Sequence, residues 1–119
     1  MELIKHSDIK VLSNPGVTSA QLLNPENSRS ERVTITKVDI QPKNEQPRHK
    51  HDTSEQIWIA VKGRGTLLLA DDKEADFETG DVVRFADGDI HGLRNDSSEV
   101  FEYISVTSPP INFRYAYKK

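Results

Sequence analysis

Apolar and polar residues alternate along most of this chain, and Gly, Pro, Asn and Asp clusters break the alternation at short intervals. Successive side chains on a strand point to opposite faces, so a period of two predicts half-buried β-strands. The predicted strands are 8–12, 17–23, 32–40, 56–61, 66–70, 74–78, 82–85, 90–94, 100–107 and 113–117. Turn residues separate them: Ser13-Asn14-Pro15-Gly16, Lys62-Gly63-Arg64-Gly65, Asp71-Asp72-Lys73, Thr79-Gly80-Asp81 and Ala86-Asp87-Gly88-Asp89. Residues 24–28 and 41–47 read as loops, the second holding both Pro42 and Pro47. Within 32–40 the apolar parity changes between Ile35 and Val38, which predicts a bulge or a switch of buried face. Strands about every 8–12 residues are the spacing of a β-sandwich or barrel. No amphipathic helix, repeat or low-complexity tract interrupts them.

One strand departs from simple alternation. In Gln56-Ile57-Trp58-Ile59-Ala60-Val61 both parities are apolar, and Leu67-Leu68-Leu69 repeats the pattern. One face fills a core; the other asks for a second layer or a second subunit. The expectation is a homodimer that buries a sheet face.

Composition narrows the class. The chain has 119 residues, fitting a single domain over 1–119. Only 34% of it is hydrophobic, so the core must be economical. There is no cysteine, which excludes disulfide scaffolds, thiolate metal sites and cysteine nucleophiles. The net charge is -3, so neither a nucleic-acid nor an anionic-membrane partner is expected. No apolar run approaches a membrane span, and Asp8 and Lys10 interrupt any signal-peptide core. A cytoplasmic location is expected.

The four histidines carry the chemistry. His49 and His51 flank Lys50, and residues i and i+2 of an extended segment point the same way. Two imidazoles then converge on one point, as a metal ion requires. By itself such a pair is better read as two solvated histidines. The surroundings change this. Gly63 follows Gln56 with six residues between. Further on come Gly80, five residues, Ala86, one residue, Gly88, two residues, His91, three residues and Asn95.

These two blocks, about 43–63 and about 80–95, resemble the paired signature motifs of the cupin superfamily. The second departs only at Ala86, where proline is usual. The first has Lys43 where its opening glycine would fall. The resemblance implies an all-β fold, the double-stranded β-helix or jelly-roll barrel. It also implies a metal held by His49, His51, an acidic position and His91. The acidic position falls on Gln56 or Glu55; the six-residue spacing to Gly63 favours Gln56, with Glu55 the alternative. Strand neighbours point oppositely, so only one of them faces inward. His6 is left outside the set.

A neutral Gln would leave the ion its full charge, a stronger Lewis acid than with Glu. Three imidazoles suit Ni, Fe or Zn and disfavour Mn. Trp58 shares the face of Gln56, and Trp58 and Tyr103 are the candidate pocket-lining residues. Arg48 and Arg94 lie at odd offsets from the histidines and should face away; Asn95 reads as a turn-stabilising residue. The expected function is metal-assisted isomerase, lyase or dioxygenase chemistry on an oxygen-rich small molecule, such as a sugar acid. The alternative is a non-catalytic small-molecule binding or sensing module. A metal-free epimerase would not require the complete ligand set.

Overall fold

The computed structural model describes residues 1–117. Its strands are β1 (Lys10–Asn14), β2 (Val17–Leu23), β3 (Thr34–Ile40), β4 (Asn44–His49), β5 (Glu55–Lys62), β6 (Arg64–Leu69), β7 (Glu74–Glu78), β8 (Val82–Phe85), β9 (His91–Asn95) and β10 (Phe101–Ser108). They form two antiparallel sheets, one in the order β1-β2-β3-β10-β5-β8 and one in the order β4-β9-β6-β7. Among the described residues helix is limited to three 3-10 turns. The all-β jelly roll expected of the sequence is what forms. The barrel, however, is not closed. No ladder joins the two sheets among the described residues, and side chains rather than hydrogen bonds fill the gap between them.

Registers explain how so few apolar residues make a core. In β3 the inward residues are Thr34, Thr36, Val38 and Ile40. Opposite them on β10 stand Thr107, Ser105, Tyr103 and Phe101. On β5, Gln56 pairs with Thr107, Trp58 with Ser105 and Ala60 with Tyr103. Each inward row thus runs from polar at one end to apolar at the other, and the three gradients align. The apolar end packs Ile40, Phe77, Leu93 and Phe101 at no more than 2% exposure. Fully burying one such side chain contributes roughly 1.5–3 kcal/mol. The polar end is a built interior surface.

Three expectations need correction. Residues 41–47 are not simply a loop, because β4 begins at Asn44. The strand is hard to see because it is a sheet edge with half-exposed polar residues, and an edge tolerates Pro47. Residues 113–117 are not a strand. Phe113–Ala116 is a 3-10 turn, started by the Asn112 side chain accepting from the Arg114 amide at 3.1 Å. Finally, β3 has no parity switch: the inward row begins with threonines and Ile35 faces out. The irregularity lies in β2, between Gln21 and Leu23.

Lys43 stands at φ 63°, in the left-handed region. The chain keeps the conformation that glycine adopts freely and places a lysine in it. The Lys43 ammonium donates to the Asp96 carbonyl, which ties this turn to the end of β9.

Candidate metal centre

The centre is set by how β4 meets β9. Asn44 lies opposite Asn95, Glu45 opposite Arg94 and Gln46 opposite Leu93; His49 then lies opposite His91. From Gln46 to His49 is three steps, while from Leu93 to His91 is two. One extra residue is therefore inserted at Pro47-Arg48. In a regular strand Gln46 and His49 would face opposite sides. The bulge reverses the parity, so both line the same cavity. Proline suits the bulge, where a ladder amide is not required.

Gly92 makes the close approach possible. A Cβ there would lie 2.7 Å from the Gln46 carbonyl oxygen and 2.9 Å from the Pro47 carbonyl carbon. Those are backbone atoms of the bulge and cannot swing aside. Nothing in the sequence motifs singles out Gly92.

The three imidazoles cluster. Ring centroids are 4.4 Å apart for His49 and His91, 5.2 Å for His49 and His51, and 5.4 Å for His51 and His91. One ring nitrogen from each lies within 4.8 Å of the others. His49 Nδ1 is 2.8 Å from the Pro47 carbonyl and His91 Nδ1 is 2.9 Å from the Asp89 carbonyl. A carbonyl only accepts, so both Nδ1 atoms carry the proton and both Nε2 atoms present a lone pair. His51 Nε2 and His91 Nε2 are buried without any hydrogen-bond partner among the described residues. A buried polar atom left unpaired costs about 1–3 kcal/mol, which a cation at this point would offset. The donor set therefore fits a transition-metal ion.

Electrostatics agree. Burial pushes all three histidines below their ordinary value, and His91 falls from 6.5 to about 4. The positive charge of the neighbouring His49 adds to the fall at His91. Phe85 stacks on His91 at 4.5 Å, and Trp58 meets it edge-on at 5.4 Å. The rings are held neutral and rigid, the state that binds a metal.

Gln56 is buried and lines the cavity. Its amide nitrogen donates to Thr107 Oγ1 at 2.9 Å, and its Oε1 accepts from the Trp58 indole at 3.0 Å. The indole only donates, which fixes the amide orientation. Glu55 turns outward and binds Arg84 at 2.6 Å. Trp58 both packs in the core, 4.3 Å from Tyr103, and lines the cavity, as does Tyr103. The Tyr103 hydroxyl donates to Gln46 Oε1, and burial pushes its phenol well above the usual range. His6 lies in an exposed 3-10 turn, away from the cluster.

Motif residues outside the cavity serve its frame. The Ala86 amide donates to Asp89 Oδ2 at 2.8 Å, so a hydrogen bond braces the turn where proline is usual. Asn95 bonds the carbonyls of Ile40 and Glu99 at 2.9 and 2.8 Å, as expected of a turn-stabilising residue. Arg94 faces out, with Glu74 and Asp96 as partners. Arg48, by contrast, does not face away as expected: it is an exposed residue of the cavity lining and donates to the Leu69 carbonyl at 2.8 Å. Gln46 and Phe113 are among the cavity residues that the sequence motifs did not point to. Gln46 sits in the segment read as a loop. Phe113, 5.6 Å from His51, comes from the segment misread as a strand.

A sandwich of two antiparallel sheets that brings three histidines to one open end defines a cupin-type centre. The family described as "Cupin domain" matches residues 36–107, and the chain belongs to it. An uncharacterised protein of Methanocaldococcus jannaschii is 23% identical over 92% of this chain and 90% of its own length. The polyketide cyclase RemF of Streptomyces resistomycificus superposes with a TM-score of 0.78, at 18% identity, over 91% of this chain and 79% of that one. A predicted oxalate decarboxylase of Thermotoga maritima gives 0.74 at 22% identity, over 90% and 98%.

Two outcomes are expected. Gly92→Ala forces β4 off β9 and destabilises the protein by about 1–3 kcal/mol in urea denaturation; unchanged stability would show that the bulge is free to move. In metal-free protein, unfolded histidine takes up its proton near 6.5, whereas His91 in the fold does so only near about 4. The unfolded state holds more protons in between, so stability is full above 6.5 and falls as the pH drops towards 4. Denaturation midpoints between pH 7 and 5 should show this slope, and His91→Gln should reduce it, the share of His49 and His51 remaining.

Proposed function

We propose that this cupin is a metal-dependent enzyme of small-molecule metabolism. One divalent ion is held by Nε2 of His49 and His91 and a ring nitrogen of His51. Gln56 Oε1 is the fourth donor, steadied through one lone pair by Trp58 and left with a second. Glu55 is committed to Arg84 and drops out of the ligand set. The observation that carries this reading is the pair of buried Nε2 atoms without partners at the point where three neutral imidazoles converge. Nickel, iron and zinc suit the nitrogen-rich set better than manganese. When bound, such an ion acts as a Lewis acid on a carbonyl or hydroxyl oxygen of an isomerase, lyase or dioxygenase substrate. The chain's own part is to hold the imidazoles neutral, exclude water with Trp58, Phe85 and Phe113, and orient the substrate against its hydroxyls.

A second reading, a binding or sensing module, is favoured by one observation. Apart from the histidines, the described cavity residues offer no inward-facing general base; Glu45 is exposed at the rim. Turnover of a bound ligand would decide between the two.

We also propose a homodimer through the outer face of the six-stranded sheet. Ile35, Val106 and Ile57 make one cross-strand row there, and Ile104, Ile59 and Val82 another. Ile59 and Val82 are exposed. Ion pairs Lys37–Glu102 and Arg84–Glu55 flank the rows. Leu67 and Leu68 do not add to this patch, since the chain buries both itself.

Metal analysis of the purified protein should find about one ion per chain, and background levels in His49→Ala and His91→Ala. Equal trace metal in all three samples would overturn the reading. Sedimentation should give twice the chain mass, reduced to one by Ile59→Glu; a monomeric parent would rule the dimer out.

A further inference from the structure

The cavity holds about 440 Å³, ordinary for a small-molecule site. Its chemistry is uneven in a way that selects a ligand class. The inner wall is aromatic: Trp58 and Tyr103 pack at 4.3 Å on one side, and Phe113 closes over His51 on the other. Between them Thr36 and Ser105 are cross-strand partners, both buried. Neither side-chain hydroxyl has a hydrogen-bond partner among the described residues, yet neither is sealed in. Both line the cavity, so both hydroxyls open onto it.

Among the described residues no Lys or Arg side chain is buried in the cavity. Besides the histidines, Arg48 is the one basic residue among the described lining residues; it is exposed, and its guanidinium donates to the Leu69 and Lys73 carbonyls at 2.8 and 3.5 Å. The one acidic lining residue, Glu45, sits at the exposed rim. A phosphate or a sugar-acid carboxylate buried away from both the histidines and exposed Arg48 would find no counter-charge and would lose its hydration uncompensated. A flat ring would stack on the aromatic walls, and a neutral oxygen would pair with the two free hydroxyls.

We infer that the cavity takes a flat, uncharged, ring-bearing molecule. It carries a ketone or phenol oxygen towards the histidines and a second neutral oxygen towards Thr36 and Ser105. This replaces the sugar acid expected from sequence. It rests on the proposed metal site only for the affinity gained at the histidines.

Calorimetric titrations with resacetophenone, a dihydroxyphenyl ketone, test this against glucuronate and glucose phosphate, on zinc-loaded and metal-stripped protein. The ketone should bind the zinc-loaded protein at least tenfold tighter than either anion. The stripped protein should bind more weakly and keep the same order. Phe113→Ala should weaken ketone binding about three- to tenfold, and Thr36→Val with Ser105→Ala by a similar factor. Should the protein take up no zinc but keep the preference, the metal reading falls and this one stands. Three results would overturn it: tighter binding of either anion by stripped protein, no ketone binding by either form, or variants that bind the ketone as the parent does.

Discussion

Everything at the functional end of this molecule depends on β4 and β9 meeting with one residue too many on β4. The bulge at Pro47-Arg48 brings His49 round to the inner face, directly opposite His91. Gly92 lets the bulged backbone lie against β9, and the Pro47 and Asp89 carbonyls then fix the protons on Nδ1. Two lone pairs are thereby left free of protons and turned towards the cluster. The buried nitrogens without partners, on His51 and His91, cost stability, a familiar way for a fold to hold energy at a site. Desolvation keeps the three imidazoles neutral, so the same burial that costs stability holds their lone pairs free.

The second organising feature is the polarity gradient between the sheets. Threonine, serine and glutamine rows at one end of β3, β10 and β5 turn into aromatic and aliphatic rows at the other. Stability is concentrated at the apolar end, and the polar end is free to line a cavity. Trp58 joins the two: it packs on Tyr103 and Phe85 while its indole holds the amide of Gln56. A low hydrophobic fraction is thus the signature of an interior only partly devoted to packing.

Most strands were readable because alternation is a local property of a half-buried strand. The failures share one cause. β4 is a polar edge strand, so burial left no pattern on it. The aromatic alternation of Phe113, Tyr115 and Tyr117 imitates a strand, but the Asn112 cap and the absence of a sheet partner turn it into a 3-10 segment. Ile35 suggested a parity switch only because the inward residues at Thr34 and Thr36 are polar, which burial against a cavity permits.

The sequence by itself determined the all-β class, the family and the three clustered histidines, since spacing between turns and histidines is written linearly. It also narrowed the acidic position to Gln56 or Glu55. Only the tertiary structure decided which of those faces inward, because that follows from the pairing of β5 with β8 and β10. It alone put Gln46 and Phe113 at the cavity, left Arg48 on its exposed lining and turned Arg94 outward. Direction, neighbours and desolvation are properties of packed strands, and no spacing along a chain encodes them.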